Sequence, residues 1–155
     1  MENKHILSSF DDDLKKLNDN LLKLGNGALT NFDSCIDNFG TQDIGEIDKV
    51  INGDIILDEL DDKVQKLGFE IIALRAPQAA DLRRVIVALK IATIFERIGD
   101  YSRNISNRTK LLIELNYSDL PGVNIGKMGQ KTLTMIEDVI ESYTNEDDKL
   151  AVKVR

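Results

Sequence analysis

Apolar residues recur in steps of four and three along the first part of the chain, at Phe10, Leu14, Leu17, Leu21, Leu24 and Ala28. Such alternation is a heptad seam and predicts a long helix over residues 5–38 with one buried stripe. Asp11, Asp12 and Asp13 load its first turns with negative charge, which favours a helix N-terminus. Gly40 is the predicted stop. Asp43 then caps a second helix, with Glu46 three residues on as in a capping box. That helix runs to about Arg75, and Leu57, Leu60, Val64, Leu67, Ile71 and Leu74 line its lower half. Pro77 ends it, and Asp81 starts a third helix over about 79–115. Between Val85 and Ile98 the third helix is apolar nearly all round, so it is expected to be enclosed by its neighbours. Asn116 to Asn124, with Pro121 and Gly122, reads as a linker. A fourth helix covers Ile125 to Tyr143, and Asn145 or Asp147 opens a fifth. Long helices joined by short loops give an all-α, up-down-up bundle.

The chain also repeats itself. LGNGALTNFDSCIDNF (Leu24 to Phe39) aligns with MGQKTLTMIEDVIESY (Met128 to Tyr143) at an offset of 104 positions. Gly25 meets Gly129, Leu29 meets Leu133, Thr30 meets Thr134 and Ile36 meets Ile140. Asp33 and Asp37 meet Glu137 and Glu141. A shared apolar phase with matched acids indicates duplication of a three-helix unit. The expected units are residues 1–118, a first three-helix repeat, and 123–155, an incomplete second one. Carried forward, the register puts most of the second unit's later helices beyond Arg155, so the chain is expected to be cut off partway through that unit. The apolar side of Leu133, Ile136 and Ile140 must then pack back on the first unit, pair with a second copy, or stay unordered.

Composition narrows the function classes. The 155 residues are 42% hydrophobic and 30% charged, enough apolar content for a packed core, and two prolines with no tryptophan suit helices. A formal net charge of −7 argues against a nucleic-acid partner and against an anionic membrane surface. Cys35 is the only cysteine, so no disulfide framework exists, and it reads as a small buried residue. The N-terminus has no apolar run before its acidic cluster, which argues against a signal peptide. The most apolar stretch, Val85 to Ile98, is interrupted by Lys90, Glu96 and Arg97, far short of the roughly 20 apolar residues of a membrane span. A cytoplasmic protein without membrane insertion is expected.

Candidate chemistry lies in the acids. Asp54 and Asp58 on the second helix, and Glu96 and Asp100 on the third, are each four residues apart and so share a face one turn apart. Glu96 extends a stripe otherwise formed by Leu82 and Leu89, where an unpaired carboxylate loses solvation. A hard cation, or iron held by carboxylates and water, would offset repulsion and desolvation together. Acidic pairs at this spacing are common on solvated helix faces, as expected for Asp61 and Asp62, and Arg97 and Arg103 could pair with the third-helix acids. No His or Cys sharpens the ligand set, and His5 reads as a surface or capping residue. With no nucleophile elbow and no Gly-rich phosphate loop, an enzyme is not expected.

The run RAPQAADLRRVIVALKIATIFERIGDYSRNI closely resembles the signature of PhoU proteins, in which a proline-bearing turn leads into D-L-R and the next helix carries E-R-I-G-D followed by N-I. Pro77, Asp81, Leu82 and Arg83 stand where that pattern expects them, although Ala76-Pro77-Gln78 departs from its usual Q-P order. The opening KHILSSFDDDLKKL is similar to the family's start. The resemblance implies tandem three-helix bundles, each able to hold a transition-metal cluster (iron, zinc, nickel or manganese), with Asp54, Asp58, Glu96 and Asp100 as the first unit's ligands and Asn104 a weaker one. It further implies a homodimeric negative regulator of phosphate uptake and the phosphate-starvation response. Its implied partners are the ATPase subunit of a phosphate ABC transporter and a phosphate-sensing histidine kinase. A metal-binding helical bundle without a signalling role is the alternative.

Overall fold

The computed structural model describes residues 2–117 and 124–154, with side chains from Ser9 onward. Five helices follow one another: α1 (Glu2–Thr41), α2 (Ile44–Arg75), α3 (Ala79–Glu114), α4 (Ile125–Thr144) and α5 (Asp148–Val154). Helices α1, α2 and α3 pack against one another as an up-down-up bundle, as the heptad spacing requires. Most of the expected linker, including Pro121 and Gly122, lies outside the described residues.

The bundle core follows one continuous seam on each helix. On α1 the buried positions are Leu17, Leu21, Leu24, Gly25, Ala28, Phe32, Cys35 and Asn38. On α3 they run Val85, Ala88, Ala92, Phe95, Gly99, Ser102, Ser106 and Thr109, steps of three and four throughout. The chemistry changes halfway along. One half, built from Leu17 to Ala28, Leu57 to Ile71 and Val85 to Phe95, is a single apolar cluster. In the other half the same seam carries Asn38, Asp54, Ser102, Ser106 and Thr109 as buried polar groups. Every buried side-chain atom without a hydrogen-bond partner among the described residues, namely Asn31 Nδ2, Asn38 Nδ2, Asp54 Oδ1 and Ser106 Oγ, belongs to that polar half.

Helix ends depart from the sequence reading in detail. Helix α1 runs through Gly40 and stops only at Gln42, whose φ of 58° breaks the helical course. Asp43 caps α2 by accepting from the Gly45 and Glu46 amides. The reciprocal half of a capping box is replaced, because Glu46 pairs instead with Lys49 at 2.5 Å. Gln78 is the residue before the first turn of α3, and Asp81 sits within that turn, as expected. Asp147 opens α5 by accepting from the Lys149 and Leu150 amides at 3.0 Å.

Two burial expectations fail. Leu74 is 79% exposed, in the last turn of α2 before the left-handed cap at Ala76, where Arg75 rather than Leu74 reaches α1. Helix α3 is not enclosed: Ile86, Val87 and Ile94 are exposed, Ile94 by 56%, because only α1 and α2 pack against it. The apolar side of α4 is covered by α1. Ile136 is buried, Ile140 and Tyr143 pack on the bundle core, and Gly129 lets Ile36 approach so closely that an added Cβ would lie 2.6–2.8 Å from three of its atoms.

Candidate functional site

Asp54 is the pivot of the site. It occupies a core position of α2's seam and is 1% exposed, an environment in which a carboxylate loses its hydration. It fits there because α3 presents glycine opposite: a Cβ on Gly99 would sit 3.1 Å from Asp54 Oδ1 and 2.5 Å from Leu57 Cδ1. Arg103, one turn further along α3, donates to Asp54 Oδ2 across the helix interface. Its second terminal nitrogen lies 2.5 Å from Asp100 Oδ1 on its own helix. One guanidinium thus bridges the buried acid of α2 and the half-buried acid of α3, in the geometry that suits arginine.

The remaining expected residues surround this bridge. Glu96 is half-buried on α3, Asp58 is exposed on α2, and Asn104 is exposed. Burial raises the Asp54 carboxyl pKa; Arg103 opposes that rise, and the nearby charges of Asp58 and Asp100 add to it. Glu96 is raised as well, first by burial and then by Asp100, Asp58, Asp61 and Asp54. The four acids singled out from spacing therefore share one electrostatic field. Asp61, expected to be merely solvated, belongs to its margin. It accepts from Gln65 Nε2 at 3.1 Å, while the same nitrogen reaches the Leu89 carbonyl and Thr93 Oγ1 on α3, each at 3.3 Å.

Among the described residues no group of three or more His, Cys, Asp or Glu side chains is disposed to hold a metal ion. The cation between the acids is Arg103, and only the orphaned Asp54 Oδ1 is left as a dry, free donor atom. As arranged, the acids form an arginine-bridged carboxylate site and do not fit a metal cluster. Arg97 takes no part in it and donates instead to the Tyr101 hydroxyl at 3.2 Å. The link from Arg103 to Asp54 was not legible beforehand, since 49 residues separate the partners; only the Asp100–Arg103 spacing of three hinted at it. A second cross-helix pair, Lys110 to Asp48 at 2.6 Å, ties the same ends of α2 and α3.

No helix among the described residues is long and apolar enough to cross a membrane. The PhoU domain family model matches residues 21–109, which include all of α2 and most of α1 and α3. The chain is 32% identical over 151 residues to a phosphate-specific transport system accessory protein PhoU homolog of Caulobacter vibrioides, covering 97% of this chain and 66% of that protein. A protein of the same description from Xylella fastidiosa is 32% identical over 157 residues, covering 99% and 64%. The chain thus spans about two thirds of the length of these relatives. Two solved structures share the fold. PhoU from Pseudomonas aeruginosa superposes with a TM-score of 0.89 at 24% identity, over 93% of this chain and 69% of that one. The phosphate transport system regulatory protein PhoU from Streptococcus pneumoniae gives 0.83 at 23%, over 94% and 68%.

Proposed function

The chain belongs to the PhoU family, and from that premise we propose that it is a cytoplasmic, non-enzymatic regulator of phosphate uptake and of the phosphate-starvation response. It acts as an adaptor between the ATPase subunit of a phosphate ABC transporter and a phosphate-sensing histidine kinase, which it restrains when phosphate is plentiful. The observation that carries this reading is the family match across residues 21–109, which takes in every acid of the arginine-bridged site. A rigid bundle with a net charge of −7 favours encounter with basic partner faces, where charge sets rate and specificity. Self-association as a homodimer is part of the same proposal. Binding of this chain to the purified ATPase and to the kinase's cytoplasmic region, compared at low and high salt, tests it. Salt-sensitive association with both is expected, and failure to bind either one removes the adaptor role.

The metal-binding reading competes on one specific observation, the orphaned Asp54 oxygen beside Asp58, Glu96 and Asp100. Iron, zinc, nickel or manganese there would have to take the place of Arg103 between Asp54 and Asp100. Metal and guanidinium are alternatives at the same point, so Arg103→Gln should raise metal uptake if this reading holds. Unchanged, negligible metal content in both forms after loading and dialysis would leave the acids as a purely protein-paired cluster.

A further inference from the structure

Helix α3 carries a second seam. Its buried seam runs from Val85 to Thr109 in steps of three and four. Two residues after each buried position stands one of an outer series in the same steps, whose apolar members are Val87, Ile94, Tyr101 and Leu111. The remaining members are Lys90, Arg97, Asn104 and Arg108. Two residues turn a helix by about 200°, so the outer series lies on the opposite side of α3 from the core. Every one of these side chains is exposed, because among the described residues α3 packs only on α1 and α2. Single apolar residues on a surface need no explanation, but a run in register from Val87 to Leu111 does. Steps of three and four are the spacing with which one helix seats on another.

The charge of this outer seam has one sign. Lys90, Arg97 and Arg108 stand in it and no acid does. The ion pairs formed by the cations of α3 among the described residues use Arg84, Arg103 and Lys110, which leaves Lys90, Arg97 and Arg108 unspent. Arg97 donates to the Tyr101 hydroxyl at 3.2 Å, a contact within the seam itself. From Glu96 to Glu114 the neighbouring acids of α3 lie on one flank, toward α2. There Asp100 is held by Arg103, Glu96 shares the field of Asp58 and Asp61, and Glu114 stands two heptads beyond Asp100. The other flank, Ile91, Ile98, Ile105 and Leu112, is apolar and half-buried. At the start of α3, Asp81 and Glu146 are met by Arg84. In a chain of net charge −7 the seam is a local reversal of sign, and salt screening over about 8–10 Å makes the local sign the one a docked partner meets.

We propose that the outer seam of α3 docks an acidic amphipathic helix of another protein, its apolar side chains on Val87, Ile94 and Tyr101 and its carboxylates against Lys90, Arg97 and Arg108. This goes beyond the adaptor reading, which rests on basic partner faces, and it does not involve the Asp54–Arg103 site. A second copy of this chain is the wrong occupant for α3 on α3, since it would crowd the same cations into one seam with no acid to meet them. An anionic membrane surface fits less well than a helix. A helix about 10–12 Å across covers the seam alone, whereas a bilayer would also press its headgroups on the acid flank of Glu96 and Asp100.

Fluorescence anisotropy with labelled peptides of about four heptads tests the assignment. One peptide has leucine along its seam and glutamate beside it, a second has lysine for glutamate, and a third keeps the acidic composition with its leucines out of register. Each is used below the concentration at which it self-associates. The acidic in-register peptide is expected to bind 1:1 and at least about tenfold more tightly than either control, a difference near 1.4 kcal/mol. Ile94→Ser/Tyr101→Ser should weaken it about tenfold or more, and Lys90→Glu/Arg97→Glu should reverse the preference toward the lysine peptide. All four positions are exposed, and circular dichroism verifies that the variants fold. The proposal is overturned by absence of binding, by equal binding of the out-of-register peptide, or by either double variant binding as the parent does. Self-association that Ile94→Ser/Tyr101→Ser abolishes assigns the seam to a second copy and overturns it. Sedimentation with vesicles of phosphatidylglycerol and phosphatidylcholine that needs the same residues, without peptide binding, assigns it to a membrane and overturns it as well.

Discussion

Replacing Arg103 with glutamine isolates the charge that keeps Asp54 in the core. The substitution leaves a 1% exposed carboxylate whose Oδ1 already lacks a partner and whose Oδ2 then lacks one as well. Removing one member of a fully buried ion pair costs about 3–5 kcal/mol. Arg103 is 35% exposed, so water screens part of the interaction and the expected loss is smaller, about 2–3 kcal/mol at neutral pH. The loss must also depend on pH in a definite direction. The folded-state pKa of Asp54 is raised, so the folded protein binds this proton more tightly than the unfolded chain, whose value is about 3.9. Stability contributed by protonated Asp54 is therefore present below that value and is lost as pH rises through the folded pKa. Without Arg103 the folded pKa rises further, and a neutral Asp54 needs no guanidinium. Urea unfolding followed by circular dichroism should thus show a large cost at pH 7.5 and a smaller one at about pH 4, near the unfolded value. The double variant Asp54→Asn/Arg103→Gln should recover most of the loss at pH 7.5. A cost below about 0.5 kcal/mol at pH 7.5, or one that is the same at both pH values, would refute the account of Asp54 as a dry carboxylate held by arginine.

Gly129→Ala should lever α4 off α1, because the new methyl meets three atoms of the β-branched Ile36 within 2.6–2.8 Å; overpacking of this kind costs about 1–3 kcal/mol. Hydrogen exchange should quicken in α4 while α1 to α3 keep their protection, and unchanged α4 protection counts against the contact. Ala76 caps α2 with φ 46° and ψ 52°, a left-handed conformation that costs a non-glycine residue about 1–2 kcal/mol, so Ala76→Gly should raise the melting temperature by a few degrees, read by thermal denaturation. Cys35 is 1% exposed and burial pushes its thiol pKa up, so an aromatic disulfide reagent should modify the native protein slowly and the urea-unfolded protein fast.

The seam of α1 was legible because a heptad records burial residue by residue, and Leu17, Leu21, Leu24 and Ala28 are all in the core. Its continuation was harder to read. Asn31 and Asn38 keep the same spacing, yet polar side chains give no apolar signal, and only packing shows that Asn38 is buried, whereas Cys35 is buried as its residue type predicted. Leu74 and Ile94 erred the other way: their apolarity predicted enclosure, but exposure depends on which neighbours exist, and nothing in a single helix encodes that. The acids were found from the i, i+4 rule alone. Arg103 was named from the sequence as a partner for the third-helix acids, and it pairs with Asp100; its link to Asp54 was not legible, because it crosses a helix interface that local spacing cannot describe.

The placement of the site follows from the seam's change of character. A carboxylate can occupy a core position of α2 only if the facing residues are small and an arginine can reach in from the rim. Gly99, Ser102 and Arg103 supply both within a single turn of α3. This half still buries Phe32, Cys35, Ile47 and Val50, but its four unpartnered buried polar atoms each oppose folding. The apolar half, from Leu17 to Ala28 with Val64, Ile71, Val85 and Ala92, must therefore hold the bundle together while the polar half stays easier to open. The division of the core into a cohesive end and a polar end puts the meeting of Asp54 and Arg103 in the half that opens more easily.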